Sequence, residues 1–212
     1  MRKTFDAELL ELNEELTAMA RQAQDAIDVV TESLSTDDEQ TAKAAIDMTA
    51  SLDQMERDIE NRCLRLLLQQ QPVARDLRNI SAALKMVTDL QRIGDQAANI
   101  AEISLLLSNH GEVKVPQDIG VMACKAGLMV RQAISAYTGR DVETAHAVIN
   151  LDDEVDDLFR QVKGELIDQV AANRDEADLS IDFIIIAKYL ERIADHAVNI
   201  AQWAIFCVTG QL

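Results

Sequence analysis

The sequence predicts an all-α protein built as two tandem, sequence-related three-helix bundles of long antiparallel helices. Three observations lead there. The 212 residues include only seven glycines and two prolines, and aromatic residues make up 3%. A chain rich in Ala, Leu, Asp, Glu, Gln and Arg favours helix and offers few places for a helix to stop. The phrase RIGDQAANIA (Arg92–Ala101) returns as RIADHAVNIA (Arg192–Ala201), identical at seven of ten positions and 100 residues away. An earlier segment, DEQTAKAAIDM (Asp38–Met48), matches DVETAHAVINL (Asp141–Leu151) at five of eleven positions with an offset of 103. Matching phrases at nearly one spacing mark an internal duplication.

The elements follow from the breakers between them. A first helix, roughly 4–35, runs to STDD (Ser35–Asp38), whose N-cap residues and first-turn acids open a second helix, roughly 37–70. Pro72 in QPVARD stops that helix and permits a third, roughly 73–108, to begin. In the third helix Leu77, Ile80, Leu84, Val87, Gly94, Ala98, Ala101 and Leu105 follow 3–4 spacing, and the small residues among them allow a close helix approach. NHGEVKVPQD (Asn109–Asp118) is the least helical stretch, bracketed by Gly111 and Pro116. A fourth helix, roughly 116–138, ends at TGRD (Thr138–Asp141), which repeats the logic of the first break. The fifth, roughly 141–171, ends at the polar ANRDEAD with Asn173 as a C-cap, and the sixth runs roughly 178–209. The drop in offset from 103 to 100 places a three-residue shortening at the break between the second and third helices of the second copy, where shortening costs little. The organisation is a first repeat (1–109), a linker (110–115) and a second repeat (116–212). Helices of about 30 residues span about 45 Å and favour nearly antiparallel bundle packing.

Hydrophobic residues at 48% suffice for a core, and charged residues at 27% with two prolines argue against disorder. The formal net charge is −17. A phosphate backbone is repelled by such a surface, which excludes nucleic-acid binding as the main activity. The same charge makes the chain a poor bare receptor for a dianion unless a bound cation recruits it, and it suits cations or a basic partner surface. Cys63, Cys124 and Cys207 are widely spaced and odd in number, which reads as free buried thiols in a reducing cytosol. Asp6, Glu8 and Glu11 follow Met1-Arg2-Lys3 where a secretory signal needs apolar residues. Apolar runs such as Phe183–Ala187 are too short to cross a bilayer. A cytoplasmic protein with no membrane insertion is expected.

Residues four apart on a helix share a face. Glu191 and Asp195 therefore project together, with Asn199 one turn on, and Asp152 and Asp156 form a second pair on the fifth helix. If those helices pack antiparallel, four carboxylates converge. Hard oxygen donors in that number suit Mg, Ca, Mn or ferric iron. Against this stands the ordinary reading of acids at i, i+4 as a solvated face; their recurrence inside a matched phrase favours the metal. The first copy keeps Asp53 and Asp95, with Glu56 and Glu60 following, but carries Gln91 in place of the glutamate and Thr49 in place of Asp152. Asp53, Glu56 and Asp95 are thus the weaker candidate site. His196 has Gln96 as its counterpart and reads as a helix-flank residue. Arg75, Asp76 and Arg78 at the start of the third helix are candidates for partner docking, or equally for helix capping with charge pairing. Ile205, Phe206 and Val208 either pack beneath the bundle or join a dimer interface.

A di-metal carboxylate oxidase or metal-storage bundle is the rival reading. It requires Glu-x-x-His on two helices. ETAH (Glu143–His146) is the one match, and Lys43 stands where His146 maps. Nucleophilic catalysis has no supporting motif: there is no Gly-x-Ser-x-Gly and no phosphate-cradling glycine-rich loop. A purely helical scaffold that docks a basic partner through its acidic faces is the third reading.

Three stretches carry a specific resemblance: QQPVARDLR (Gln70–Arg78), DLQRIGDQAANIAE (Asp89–Glu102) and YLERIADHAVNIAQW (Tyr189–Trp203). Together with the doubled three-helix unit they make the chain resemble the PhoU family of phosphate-signalling regulators over nearly its whole length. The resemblance implies two three-helix bundles, frequent homodimers and, in some members, multinuclear iron or zinc clusters on the acidic faces. It further implies a non-enzymatic negative regulator of high-affinity phosphate uptake, working between a Pst-type phosphate ABC transporter and its sensor histidine kinase. The departures at Gln91 and Thr49 bear on the first-repeat cluster and leave the regulatory expectation untouched.

Overall fold

Helix is the outcome wherever the backbone is described, save short connections. The computed structural model describes residues 2–36, 39–69, 73–108 and 114–211. Its helices are α1 (Arg2–Thr36), α2 (Glu39–Gln69), α3 (Ala74–Leu107), α4 (Gln117–Gly139), α5 (Val142–Ala172) and α6 (Ala177–Thr209), with a 3-10 turn at Arg174–Glu176. Every helix end lies within two residues of its expected position. Residues 37 and 38 of the expected STDD break, Pro72, Asn109 and residues 110–113 of the expected 110–115 linker lie outside the described residues. No helix among the described residues is long and apolar enough to cross a membrane.

The described helix ends show why the chain turns where it does. Arg140 adopts a left-handed conformation (φ 55°) after α4, the only described non-glycine residue with positive φ. Asp141 then caps α5, its carboxylate accepting the Thr144 N–H at 3.1 Å and the Thr144 hydroxyl at 2.6 Å. Asn173 closes α5, donating its N–H to the Gln169 carbonyl (2.8 Å), and its side chain accepts from Asp175 N–H (3.2 Å). Gly210, at φ 77°, ends α6 in the left-handed region that glycine enters without strain.

Packing follows the duplication. Helices α1–α3 form one triplet and α4–α6 the other, each helix touching both companions in its own triplet. The triplets join along α3 against α6 and, less extensively, along α1 against α4. Arg78 lies against Gly210 while Asp89 meets Asn199, so α3 and α6 run antiparallel. One continuous core crosses this seam, with Leu90, Ile93 and Ile100 of α3 and Leu190, Ile193 and Ile200 of α6 at 0–1% exposure.

This central position corrects the expected α3 stripe. Ile80, Val87, Gly94 and Ala101 are buried as expected, but so are Ala82, Ala83, Met86, Leu90, Ile93, Ala97 and Ile100, because α3 meets α1, α2 and α6. Leu77, expected in the stripe, is 44% exposed although its neighbour Asp76 in the same first turn is buried. Gly94 does serve a close approach: a β-carbon there would collide with the Leu52 side chain of α2. Cys63 and Cys207 are buried, whereas Cys124 is exposed on α4; all three are free. Near the C-terminus Ile205 and Phe206 pack partly against the core, Phe206 edge-on to Trp203 at 5.6 Å, and Val208 remains exposed. Arg62 ties α2 to α1 through Glu15 (2.7 Å) and Glu11 (2.8 Å).

Truncating a fully enclosed side chain at the seam leaves a cavity that rigid flanking helices cannot fill. Leu90→Ala is expected to lower the unfolding free energy by about 3 kcal/mol, read from urea denaturation of the wild type and the variant.

Candidate functional site

Two acid-bearing helix pairs occupy equivalent places in the two triplets, α5 with α6 and α2 with α3. In the second triplet Asp152 and Asp156 come from α5, and Glu191 and Asp195 from α6. The four carboxylates are close enough to act on one another. Burial pushes the Asp152 carboxyl up to about 6, helped by the negative charges of Asp195, Asp156 and Glu191. Asp195 is raised too, by burial and then by Glu191, with Lys188, Asp156 and His196 as smaller influences of both signs. Asp152 Oδ1 has neither solvent contact nor a hydrogen-bond partner. A buried acceptor left in that state is destabilising until a proton or a cation reaches it.

One positive group answers this charge directly. Lys188, one turn before Glu191, pairs with the Glu191 carboxylate and lies 5.3 Å from the centre of the Phe159 ring. Glu191 is 13% exposed and Lys188 43%, so the pair is shielded from water on the carboxylate side only. Among the described residues no three His, Cys, Asp or Glu side chains stand close enough together to hold one metal ion in this arrangement. In donor chemistry the set fits a hard cation: every donor is a carboxylate oxygen, and one is an orphan. Gathering them on an ion requires Lys188 to release Glu191.

In the first triplet the same place is closed by an amide. Gln91 Nε2 donates to Asp53 Oδ1 (3.0 Å) and to Asp95 Oδ1 (2.9 Å), while Arg92 reaches Asp95 Oδ2 (3.2 Å). Glu56 stands beside them, its carboxyl raised by burial, then by Glu60 and Asp53. The Thr49 hydroxyl, at the place of Asp152, is buried with no partner. Gln91 thus neutralises by hydrogen bonding the repulsion that Glu191 sharpens. Its amide protons point at the oxygens a cation would use.

The other candidates fall in different places. Arg75 is exposed, but Asp76 is buried and so presents no docking surface, and Arg78 is folded over Gly210 at the end of α6. Glu143 and His146 lie on the exposed face of α5, which leaves the oxidase reading without a bundle-core site. His196, expected only to flank its helix, bridges the triplets: its Nδ1 lies 2.9 Å from Asp89 Oδ1, which also accepts from Asn199 Nδ2 at 3.1 Å.

The family model described as "PhoU domain" matches twice, at residues 16–104 and 119–204. The chain belongs to the PhoU family. A relative from Clostridium acetobutylicum, a phosphate-specific transport system accessory protein PhoU homolog, is 35% identical across 99% of this chain and 96% of its own length. One of the same name from Aquifex aeolicus is 37% identical across 97% of this chain and 93% of its own. The crystal structure of PhoU from Pseudomonas aeruginosa superposes with a TM-score of 0.92 at 31% identity, covering 98% of this chain and 100% of that one. The tandem all-α architecture of this PhoU chain is therefore shared with a solved structure.

Sequence reasoning missed Lys188 and Asp89. Lys188 was findable as the cation three residues before Glu191 on the same helix face. Asp89 was not, because its partner lies across the seam between the triplets, a contact no local spacing announces.

The raised Asp152 carboxyl sets a pH dependence for the metal-free protein. Its folded value of about 6 exceeds that of an unfolded Asp, so the stabilisation from its protonated form is full below the unfolded value and is lost as pH rises through about 6. Asp152→Asn is expected to melt higher than wild type at pH 7, and the gap should narrow at pH 5. Thermal melts at the two pH values test this; a gap that does not change between them refutes the assignment.

Proposed function

We propose that this PhoU-family chain is a non-enzymatic negative regulator of phosphate uptake and phosphate-starvation signalling. It acts in the cytoplasm, at the cytoplasmic face of a phosphate ABC transporter, and couples that transporter to a sensor histidine kinase. The observation that carries the reading is full-length similarity to proteins named as phosphate-specific transport system accessory proteins. The absence of nucleophile and phosphate-loop motifs supports a binding role over a catalytic one. A rigid two-triplet body can report one partner's state to another only through differential contacts, so docking on both is the mechanism proposed. A homodimer is the proposed assembly.

Asp152, Asp156, Glu191 and Asp195 are the residues that would hold a cation, and its charge would offset their mutual repulsion. Iron, zinc, manganese, magnesium and calcium are the ions considered, with the all-oxygen donor set favouring the harder ones. Asp53, Glu56 and Asp95 form a lesser site, because Gln91 and Arg92 already satisfy two of the three.

Deleting the gene is expected to leave a phosphate-starvation reporter constitutively on at high phosphate, with repression restored by a plasmid copy. A reporter that stays repressed in the deletion strain removes the chain from that circuit. Glu191→Ala with Asp195→Ala is expected to abolish manganese or iron uptake in equilibrium dialysis followed by elemental analysis, with the circular dichroism of wild type; unchanged metal content removes the ligand assignment.

A further inference from the structure

The two triplets differ at one end. α1 has 35 residues and α4 has 23, and in the 103-residue register of the duplication they finish together, at Thr36 and Gly139. The twelve extra residues therefore lie at the start of α1. There Phe5 and Leu12 are buried, and Leu9 packs against the core. Arg62 of α2 holds this segment through Glu15 (2.7 Å) and Glu11 (2.8 Å). Among the described residues the second triplet has no such cover. Where α5 ends and α6 begins, next to the start of α4, a cleft of about 630 Å³ opens instead.

The duplication allows the two ends to be compared residue by residue. Arg62 maps onto Glu165, Glu11 onto Lys114 and Glu15 onto Asp118. The cation that clamps α1 is thus a carboxylate in the second triplet. Glu165 lines the cleft together with Asp118 and Glu176, against Lys114 as the one described cation beside them. Asp118 and Glu165 share the Gln161 amide, each at 3.0 Å, and Glu176 accepts from Asn173 at 3.0 Å. Among the described residues none of these three carboxylates is paired with Lys or Arg. Leu66 of α2 is fully buried, whereas its counterpart Gln169 is exposed. In the 100-residue register of the closing phrases Ile80 becomes Ser180, which lines the cleft.

Between these polar groups Val115, Leu179 and Phe183 keep an apolar strip in the cleft. Prolonging α4 backward cannot cover it. Val115 precedes Pro116, which disfavours helix at that residue, and Leu105–Leu107, in the register of the first residues of α1, already end α3. A second copy is a poor occupant too. Its own first turns are packed in its own triplet, and two chains of net charge −17 would set like charges against each other.

We infer that this cleft docks a basic amphipathic helix of a partner protein, in the place that the first turns of α1 fill in the first triplet. The helix is about three turns long, the length by which α1 exceeds α4. Its apolar stripe lies on Val115, Leu179 and Phe183, and its Lys or Arg side chains meet Glu165, Glu176 and Asp118. Gln169 and Ser180 suit a partner that leaves and returns, because leucine and isoleucine there would bare an apolar patch whenever the cleft is empty. The inference rests on the docking role proposed above and names a surface for it.

The probe is a synthetic three-turn peptide, locked as a helix by a side-chain staple, with leucines spaced as Phe5, Leu9 and Leu12 are and lysines flanking them. Fluorescence anisotropy is expected to show it binding the purified chain, about tenfold more weakly after Glu165→Lys and more tightly after Lys114→Glu. Glu14→Lys, the same charge change on α1 away from the cleft, should leave the affinity unchanged. All three positions are exposed, so folding is preserved and is checked by circular dichroism. Absence of binding, an equal loss in Glu14→Lys, or equal binding of a peptide with the same residues in scrambled order overturns the inference. A change in the sedimenting mass of the chain after Glu165→Lys assigns the cleft to a second copy and also overturns it. A reporter still repressed in the deletion strain removes the regulatory reading without touching these measurements, whereas a derepressed reporter with no peptide bound removes the docking cleft alone.

Discussion

The antiparallel contact of α3 with α6 is the constraint on which the molecule depends. Each helix is the inner member of its own triplet, so each must bury residues toward two companions and toward the other. Small side chains help: Gly94 lets α2 come close to α3, and Ala97 of α3 and Ala194, Ala197 and Ala201 of α6 are fully buried. Where the seam reaches solvent it is finished by polar groups, Asp89 receiving His196 and Asn199. Because the seam holds the triplets in one register, the acidic pairs on α2–α3 and α5–α6 are carried at fixed places rather than on loops. A site on rigid elements can be tuned by single side chains, and the two repeats show such tuning.

The comparison between the repeats is chemical more than structural. Both pairs hold an Asp on the outer helix and an Asp on the inner one. In the first, Gln91 donates to both and Arg92 adds a charge; in the second, Asp152 and Glu191 bring the negative groups to four and Lys188 answers Glu191 from outside. The outcome is a settled cluster in one half and a strained one in the other, with Asp152 Oδ1 unsatisfied at the strained end. Electrostatic strain at a place built on otherwise well-packed helices is a recognisable mark of a site that awaits a proton, a cation or a partner.

Much of the fold was legible because helix is a local outcome. Breakers at TGRD and ANRDEAD, the cap at Asp141 and the duplicated phrases all act within a few residues of where they are read. The four second-repeat carboxylates were legible for the same reason, as i, i+4 pairs on two helices expected to be neighbours. What escaped lies across longer distances. The extra buried face of α3 depends on α6, more than a hundred residues on, and so does the role of Asp89. Asp76 looked like a surface charge because nothing in ARDLR states that the first turn of α3 is partly enclosed.

Gln91 carries a consequence of a genetic kind. A glutamine codon becomes a glutamate codon by one base change, and the neighbours such a glutamate would need, Asp53 and Asp95, are already beside it. At this one position the first half thus stands a single base change from the second, and the second the same distance from the first, although Thr49 still stands where the second half carries Asp152. After a duplication, that short step lets one copy of a charged cluster be silenced or revived while the helices that carry it stay as they are.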